Sequence, residues 1–340
     1  MDDSTIDEWT LFSHNGRWKS RVFLWYAICT EVSLMQKTRG ARLLRRIWSA
    51  RYLYLMFLPV FLYYVFFRYA PMLGLSIAFK NYNAFLGFER SPWVGLKYFK
   101  QFFNSFYLWR LIRNTLLINL YDLIFNFPAA IALALLLNEV QQKTFKKTVQ
   151  TITYLPYFIS SVVIASMMVQ FLSPSSGMIN NIIDALGGER QYFMTQPESF
   201  RTIYTLMNLW KSIGWNSIIF LAAISGINSE LYEACTIDGG GYLRRMWHVT
   251  LPGIASTIVV LIIMRLGHVM DAGYETILLL QNNANMETSD VIGTYVYRRG
   301  LKGGEYSYAT AVGMFQSVIG FAMVIFSNWL SRKYGETSLW

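Results

Sequence analysis

The chain has 340 residues, of which 54% are apolar and only 15% charged, against about 25% charged in ordinary globular chains. Long stretches nearly free of charge alternate with short basic ones, a pattern that excludes a string of soluble domains and predicts an all-α polytopic membrane protein. The net charge of +10 reads as anchoring to an anionic leaflet, and no nucleic-acid partner is expected because no basic patch sits on a soluble domain.

Residues 1–51 form a basic region read as cytoplasmic. Asp2, Asp3, Asp7 and Glu8 stand where a signal peptide needs a basic stretch. Val22–Met35 is apolar but short and interrupted by Glu31, which predicts an interfacial or packed amphipathic helix. Arg39, Arg42, Arg45, Arg46 and Arg51 then abut the first long apolar window.

Residues 52–340 read as one six-span domain. A crossing helix needs about 20 apolar residues, and the windows are Tyr52–Met72, Leu111–Leu137, Tyr154–Leu172, Arg201–Ile224, Gly253–Met270 and Ser307–Leu330. In hydrocarbon every backbone polar group must be satisfied internally, so these are helices. With the amino terminus inside, the inner segments hold 16 Lys and Arg and the outer segments, of similar length, hold 10. Both termini are therefore expected in the cytoplasm of a bacterial cell, with the chain in its inner membrane. Cys29 and Cys235 both fall inside, where a disulfide is not expected.

In the first outer segment, Ser91-Pro92 sets a turn before an amphipathic stretch with interfacial aromatics. The third, Asp271–Tyr306, is long and irregular enough to be a candidate contact surface. Between spans four and five lies Glu233-Ala234-Cys235-Thr236-Ile237-Asp238-Gly239-Gly240-Gly241, closed by Leu251-Pro252. Asn228 or Ser229 can cap a short helix there, with Glu230 complementing its dipole and the glycines ending it. Tyr242–Val249 can form a second helix, after which Pro252 opens the next span. A rigid, laterally projecting helical knob is predicted, with Cys235 packed as a small apolar residue.

A lone Glu-Ala would be an incidental hairpin. The joint occurrence of Glu233, Ala234, Gly239 and Leu251-Pro252 after the fourth span resembles the cytoplasmic coupling loop of ABC importer permeases. Cys235, Gly240 and Val249 depart from that pattern conservatively. Trp210–Asn216 and Leu221–Leu231 look like the span leading into the loop in sugar permeases. Ser289–Tyr297, with Gly300 and Tyr306–Ala311, resembles the branch that takes pectin-derived, aldouronate and alginate chains. The resemblance implies a heterodimer with a second permease, two cytoplasmic ATPase subunits and an extracytoplasmic binding protein, with a saccharide as substrate. It assigns ATPase coupling to Glu233, Ala234, Asp238, Gly239, Leu251 and Pro252. The chain has no phosphate-binding loop of its own, so ATP and Mg are expected on the partner ATPases, with no cofactor on this chain.

Span two carries Thr115, Asn119, Asp122 and Asn126 as a helical stripe, span four Asn208, Lys211, Ser212 and Trp215, and span five Thr257, Arg265 and His268. A charge at such depth costs about 2.5–3.5 kcal/mol, so it pairs or faces water. Asn119, Asp122, Asn126, Asn208, Lys211, Trp215, Arg265 and His268 are therefore candidates for a wet path, with Trp215 as a stacking surface and the cations suited to an acidic sugar. Alternatively, Asp122 neutralises Lys211 or Arg265 in a structural pair. Ala309, Gly313 and Ser317, every four residues, allow close helix packing. No metal cluster, paired catalytic carboxylates or nucleophile triad is visible, so the chain reads as a non-catalytic permease for an oligo- or polysaccharide of the uronate type, alginate-like. The rivals are an ion- or proton-coupled secondary transporter using Asp122, Arg265 and His268, which predicts inverted repeats, and a receptor subunit that carries nothing.

Overall fold

The computed structural model describes residues 48–334. The helix expected over Val22–Met35, Cys29, and four of the five arginines of the basic cluster (Arg39, Arg42, Arg45 and Arg46) lie outside them. The described residues fall into two compact units, divided between Gly74 and Leu75. Among the described residues there is no β-strand, only an isolated antiparallel bridge between Lys80 and Trp93. Three helices among the described residues are long and apolar enough to cross a membrane: Arg51–Phe79, Leu108–Glu139 and Tyr306–Lys333. Three further helix pairs pass the same test together but are bent, which gives up to six if each pair is one span.

In the first unit, α1 (Arg51–Tyr64) continues as a π-helical turn, Val65–Tyr69, and a short helix, Ala70–Met72. The wide turn has a local cause. Pro71 lacks an N–H and its ring crowds the carbonyl four residues back, at Phe67, inside the π segment. Pro252 does the same to His248 within a second π turn, Met246–Thr250.

The second unit is built on α2 (Lys97–Phe103), α3 (Leu108–Glu139), α4 (Lys143–Tyr154), α5 (Ser161–Phe171), α6 (Met178–Ala185) and α7 (Pro197–Ser225). It continues with α8 (Ser229–Ile237), α9 (Tyr242–Arg245), α10 (Ala255–Gly267), α11 (Tyr274–Leu280), α12 (Ile292–Val296) and α13 (Tyr306–Tyr334). α3 and α7 pack along each other as the central pair. Three buried clusters hold the rest to them. Ile118, Ile164, Met207 and Ile277 join α3, α5, α7 and α11. Phe102, Leu111, Ile292 and Val312 join α2, α3, α12 and α13. Ala130, Phe220, Ile224 and Ile254 close the opposite end.

Two expected spans are not single straight helices. The window Tyr154–Leu172 is cut between Phe158 and Ser161, where the helices Lys143–Phe158 and Ser161–Phe171 meet at 99°. Ile159 and Ser160 are extended (ψ 134 and 140), and the Ser160 hydroxyl accepts the Val162 N–H at 3.2 Å, capping a new helix. Nor does Pro252 open the fifth span, expected over Gly253–Met270. Its helix already runs through Tyr242–Gly253, bends by 58° at Ile254, and ends at Gly267. Apolar windows register composition, and a break at one or two residues barely changes it.

The segment Asp271–Tyr306, expected as a contact surface, is folded into the core through Ile277, Leu280, Val291, Ile292 and Tyr295. A second buried knot lies after α5. The Asn180 amide, fully buried, donates toward the Leu172, Ser173 and Gln191 carbonyls at 3.0–3.2 Å and accepts the Gln191 N–H at 2.8 Å. Asn180→Ala orphans these backbone groups and is expected to cost about 2 kcal/mol. A lowered denaturation midpoint, with faster tryptic cleavage at Arg190, is the measurable result.

Candidate functional site

Of the polar residues read into spans two, four and five, Asn126, Asn208, Ser212 and Arg265 gather around Asp122. Its carboxylate, 6% exposed, accepts from the Arg265 guanidinium at Oδ2 and from the Asn208 amide at Oδ1. Asn126 on the next turn of α3 also donates to Oδ1, at 2.8 Å. Ser212 closes the group with hydrogen bonds to the Asn208 carbonyl at 2.7 Å and to Asn126 Oδ1 at 3.3 Å. The four-residue spacing of Asp122/Asn126 and of Asn208/Ser212 places each pair on one helix face, and the α3–α7 contact brings the two faces together. Thr115, Asp122 and Asn126 are buried within the chain, whereas the Arg265 side chain keeps 45% of its surface. Arg265 also borders a small hollow of about 110 Å³ with Asn216, Ile219 and Leu261.

Lys211 and Trp215 belong to a separate group at the break between α4 and α5. The Lys211 ammonium donates to the Ser161 hydroxyl at 2.8 Å, not to Asp122. Trp215 stacks on Tyr157 with centroids 4.5 Å apart and planes 3° apart, and meets Phe158 edge-on at 5.6 Å. One ring face is thus already covered. Gly214 makes this approach feasible, since a Cβ there would strike the Thr153 carbonyl and the Tyr154 ring. Asn119 and His268 stand apart: each bonds a carbonyl of its own helical turn, Thr115 and Met264, at 3.0 Å. Tyr157, Phe158 and Ser161 escaped the sequence reading because the break between α4 and α5 that sets them against α7 leaves the apolar window unchanged.

The hairpin between α7 and α10 forms as its residues dictate. Asn228 caps α8 by accepting the Glu230 N–H at 3.0 Å. At the other end Gly239 has φ 74, its N–H bonds the Thr236 carbonyl at 3.0 Å, and the Gly240 N–H bonds the Cys235 carbonyl at 2.8 Å. This is a Schellman closure, and it needs positive φ at one glycine only. Gly240 is small because a Cβ there would lie 2.5 Å from the Cys235 sulfur. Glu233, Ala234, Asp238 and Gly239 are exposed, beside the exposed apolar side chains of Leu231, Ile237, Leu243 and Trp247. Leu251 instead packs on the cluster around Phe220 and Ile224.

Three contacts make the hairpin rigid against the spans. The Tyr232 and Thr250 hydroxyls meet at 3.1 Å, Arg245 pairs with Glu139 at the end of α3 at 3.4 Å, and a Cβ on Gly253 would strike Ile227. A further unforeseen ion cluster lies near the opposite end of α3. The fully buried Asp290 carboxylate pairs with Arg298 at 2.7 Å and Arg110 at 3.3 Å, while Asn114 donates to the Asp290 carbonyl at 3.0 Å. No spacing rule links positions so far apart, although the Asp290/Arg298 separation of two helical turns was readable.

Positions 126–336 match the family described as binding-protein-dependent transport system inner membrane component. Protein LplB of Bacillus subtilis (strain 168) is 44% identical over 289 residues, covering 85% of this chain and 91% of that protein. The polygalacturonan/rhamnogalacturonan transport system permease protein YteP of the same organism is 43% identical over 314 residues, covering 92% and 98%. A chain in the crystal structure of a bacterial alginate ABC transporter, in complex with alginate pentasaccharide-bound periplasmic protein, matches with a TM-score of 0.80. It is 44% identical, over 87% of this chain and 99% of that one. These likenesses run through the spans and the hairpin alike and set aside the secondary-transporter alternative. The chain belongs to the family of binding-protein-dependent transport system inner membrane components, the non-catalytic membrane permeases of ABC importers.

Proposed function

We propose that this chain is the permease subunit of an ATP-driven importer for an acidic oligo- or polysaccharide, a uronate polymer of the alginate or pectin type. The observation that carries this reading is Arg265. It is a cation within a candidate span, held by Asp122 yet with 45% of its side chain open. An intramembrane cation kept open is worth its cost of about 2.5–3.5 kcal/mol only where water or an anion meets it. Relatives named for polygalacturonan and alginate support the same substrate class. Arg265 is the first candidate to meet a carboxylate, with Lys211 and Trp215 further along the path and Asn208 and Asp122 orienting Arg265. Asn119, Asn126 and His268 complete the path as proposed wall residues.

In this reading residues 52–340 form six spans, with the hairpin helices α8 and α9 outside them, and residues 1–51 are a basic cytoplasmic extension. Both termini and the hairpin lie inside. Glu233, Ala234, Asp238 and Gly239 face one of two partner ATPases, which bind ATP and Mg, and Leu251 and Pro252 tie that contact to the spans. A second permease completes the path, and an extracytoplasmic binding protein delivers the saccharide. The test is uptake of a labelled galacturonate oligosaccharide by proteoliposomes holding the whole complex and its binding protein. ATP-dependent uptake of the acidic saccharide is expected over its carboxyl-reduced form, with Arg265→Gln raising KM about tenfold. Uptake without the ATPases, or equal uptake of both saccharides, overturns the reading.

A further inference from the structure

Apart from the Arg265 cluster, a hollow of about 310 Å³ opens where the loop before α2, the end of the helical segment after α12, and the start of α13 meet. Its size is at the lower end of the ~300–1,000 Å³ of small-molecule sites, enough for a terminal sugar residue but not a long chain. Its walls are tyrosines, amides, a serine and one ion pair, with no aliphatic side chain. That composition argues against a lipid tail or an apolar helix. The larger hollow lined by Leu75, Val296, Leu301 and Met314 is the contrasting case.

The polar groups are fixed in place. The bridge between Lys80 and Trp93 sets the backbone of the following residues, so that the Tyr82 N–H donates to the Ser307 hydroxyl at 2.9 Å and the Tyr98 hydroxyl donates to Asn81 Oδ1 at 2.6 Å. Tyr82 and Tyr306 meet edge to face at 6.0 Å, leaving ring faces for the apolar side of a sugar. Arg299 pairs with Glu305 at 2.8 Å across the turn made by Gly304 (φ 70), each side chain about 40% exposed, and its guanidinium lies 5.4 Å over the Tyr308 ring. Burial raises the Tyr98 phenol above its ordinary value, so it remains a neutral hydroxyl at physiological pH.

We propose that this hollow is a saccharide subsite on the outer side of the permease, where Arg299 takes a uronate carboxylate in exchange for Glu305 and the tyrosines seat the ring. The assignment rests on the importer reading above. It gives the chain a receiving point for the end of a polymer before that end reaches Arg265. No covalent step is involved, because a substrate carboxylate and the Glu305 carboxylate compete for one guanidinium.

The test measures binding of alginate pentasaccharide, and of its carboxyl-reduced form, to the complete importer in nanodiscs without binding protein. Arg299→Gln is expected to weaken the pentasaccharide about tenfold and the reduced form less than about twofold. Glu305→Gln, which removes the competitor, is expected to tighten the pentasaccharide about threefold, a gain that no folding defect produces. Unchanged pentasaccharide affinity in both variants overturns the subsite; a separate measurement of binding-protein docking, if weakened in them, makes the hollow a protein contact. If the unaltered importer takes up the saccharide while neither variant shifts its affinity, the subsite alone fails. If the unaltered importer takes up no uronate saccharide, the importer reading itself fails.

Discussion

Asp122→Ala is expected to be the most damaging single substitution in the spans, lowering stability by about 3 kcal/mol. The carboxylate is the common acceptor for Arg265, Asn208 and Asn126, contributed by three helices. Removing it leaves Arg265 without its counter-ion and two amides, that of Asn126 fully buried, without this acceptor. Chemical denaturation of the detergent-solubilised complex measures the loss. The double variant Asp122→Leu/Arg265→Leu should recover much of it, since it leaves no charge behind. Arg265→Lys, by contrast, keeps a cation for Asp122 and should stay near the unaltered stability while KM for an acidic saccharide rises, because a point charge lacks the guanidinium fork. A variant Asp122→Ala as stable as the parent would show that the three spans are held by apolar packing alone.

The second large effect is expected at the hairpin. The Glu233 side chain is exposed and makes no hydrogen bond or ion pair among the described residues, so Glu233→Ala should leave the denaturation midpoint in place. In the proposed coupling role, loss of its charge is nevertheless expected to lower ATP-dependent uptake by about tenfold or more. Gly239→Val acts differently. It forces a β-branched residue to φ 74, opens the Schellman closure, and should uncouple uptake from ATP hydrolysis by softening the knob. The decisive comparison is uptake against ATPase activity in the same proteoliposomes. Equal losses in both, or full uptake in Glu233→Ala, would remove the hairpin from the coupling role.

Legibility in the sequence followed the range of the interactions. The hairpin was readable almost atom by atom, because caps, dipole and glycine closure are local: Asn228, Glu230 and Gly239 act within one or two turns. The three long helices Arg51–Phe79, Leu108–Glu139 and Tyr306–Lys333 were equally plain, each being a composition signal about 30 residues long. The bends were not. At Ile159-Ser160 a hydroxyl cap turns the chain through 99°, and an average over the window does not register one serine. The polar stripe on span two was seen, but not which partner each residue takes. Asp122 had two candidate cations, and only the approach of α10 to α3 selects Arg265 and leaves Lys211 to Ser161.

By itself, then, the sequence determined what hydrophobicity and local capping determine: a helical membrane chain, a glycine-closed hairpin, and polar residues gathered on single faces of the helices read as spans two and four. Tertiary structure decided the bend angles, the covering of one Trp215 face by Tyr157, the seat of Asp290 between Arg110 and Arg298, and the tyrosine-walled hollow around Arg299. The physical reason is the same in each case. Backbone hydrogen bonding and transfer to hydrocarbon act on neighbouring residues, whereas ion pairs, ring stacking and hollows arise between residues that only the packing of helices brings within reach.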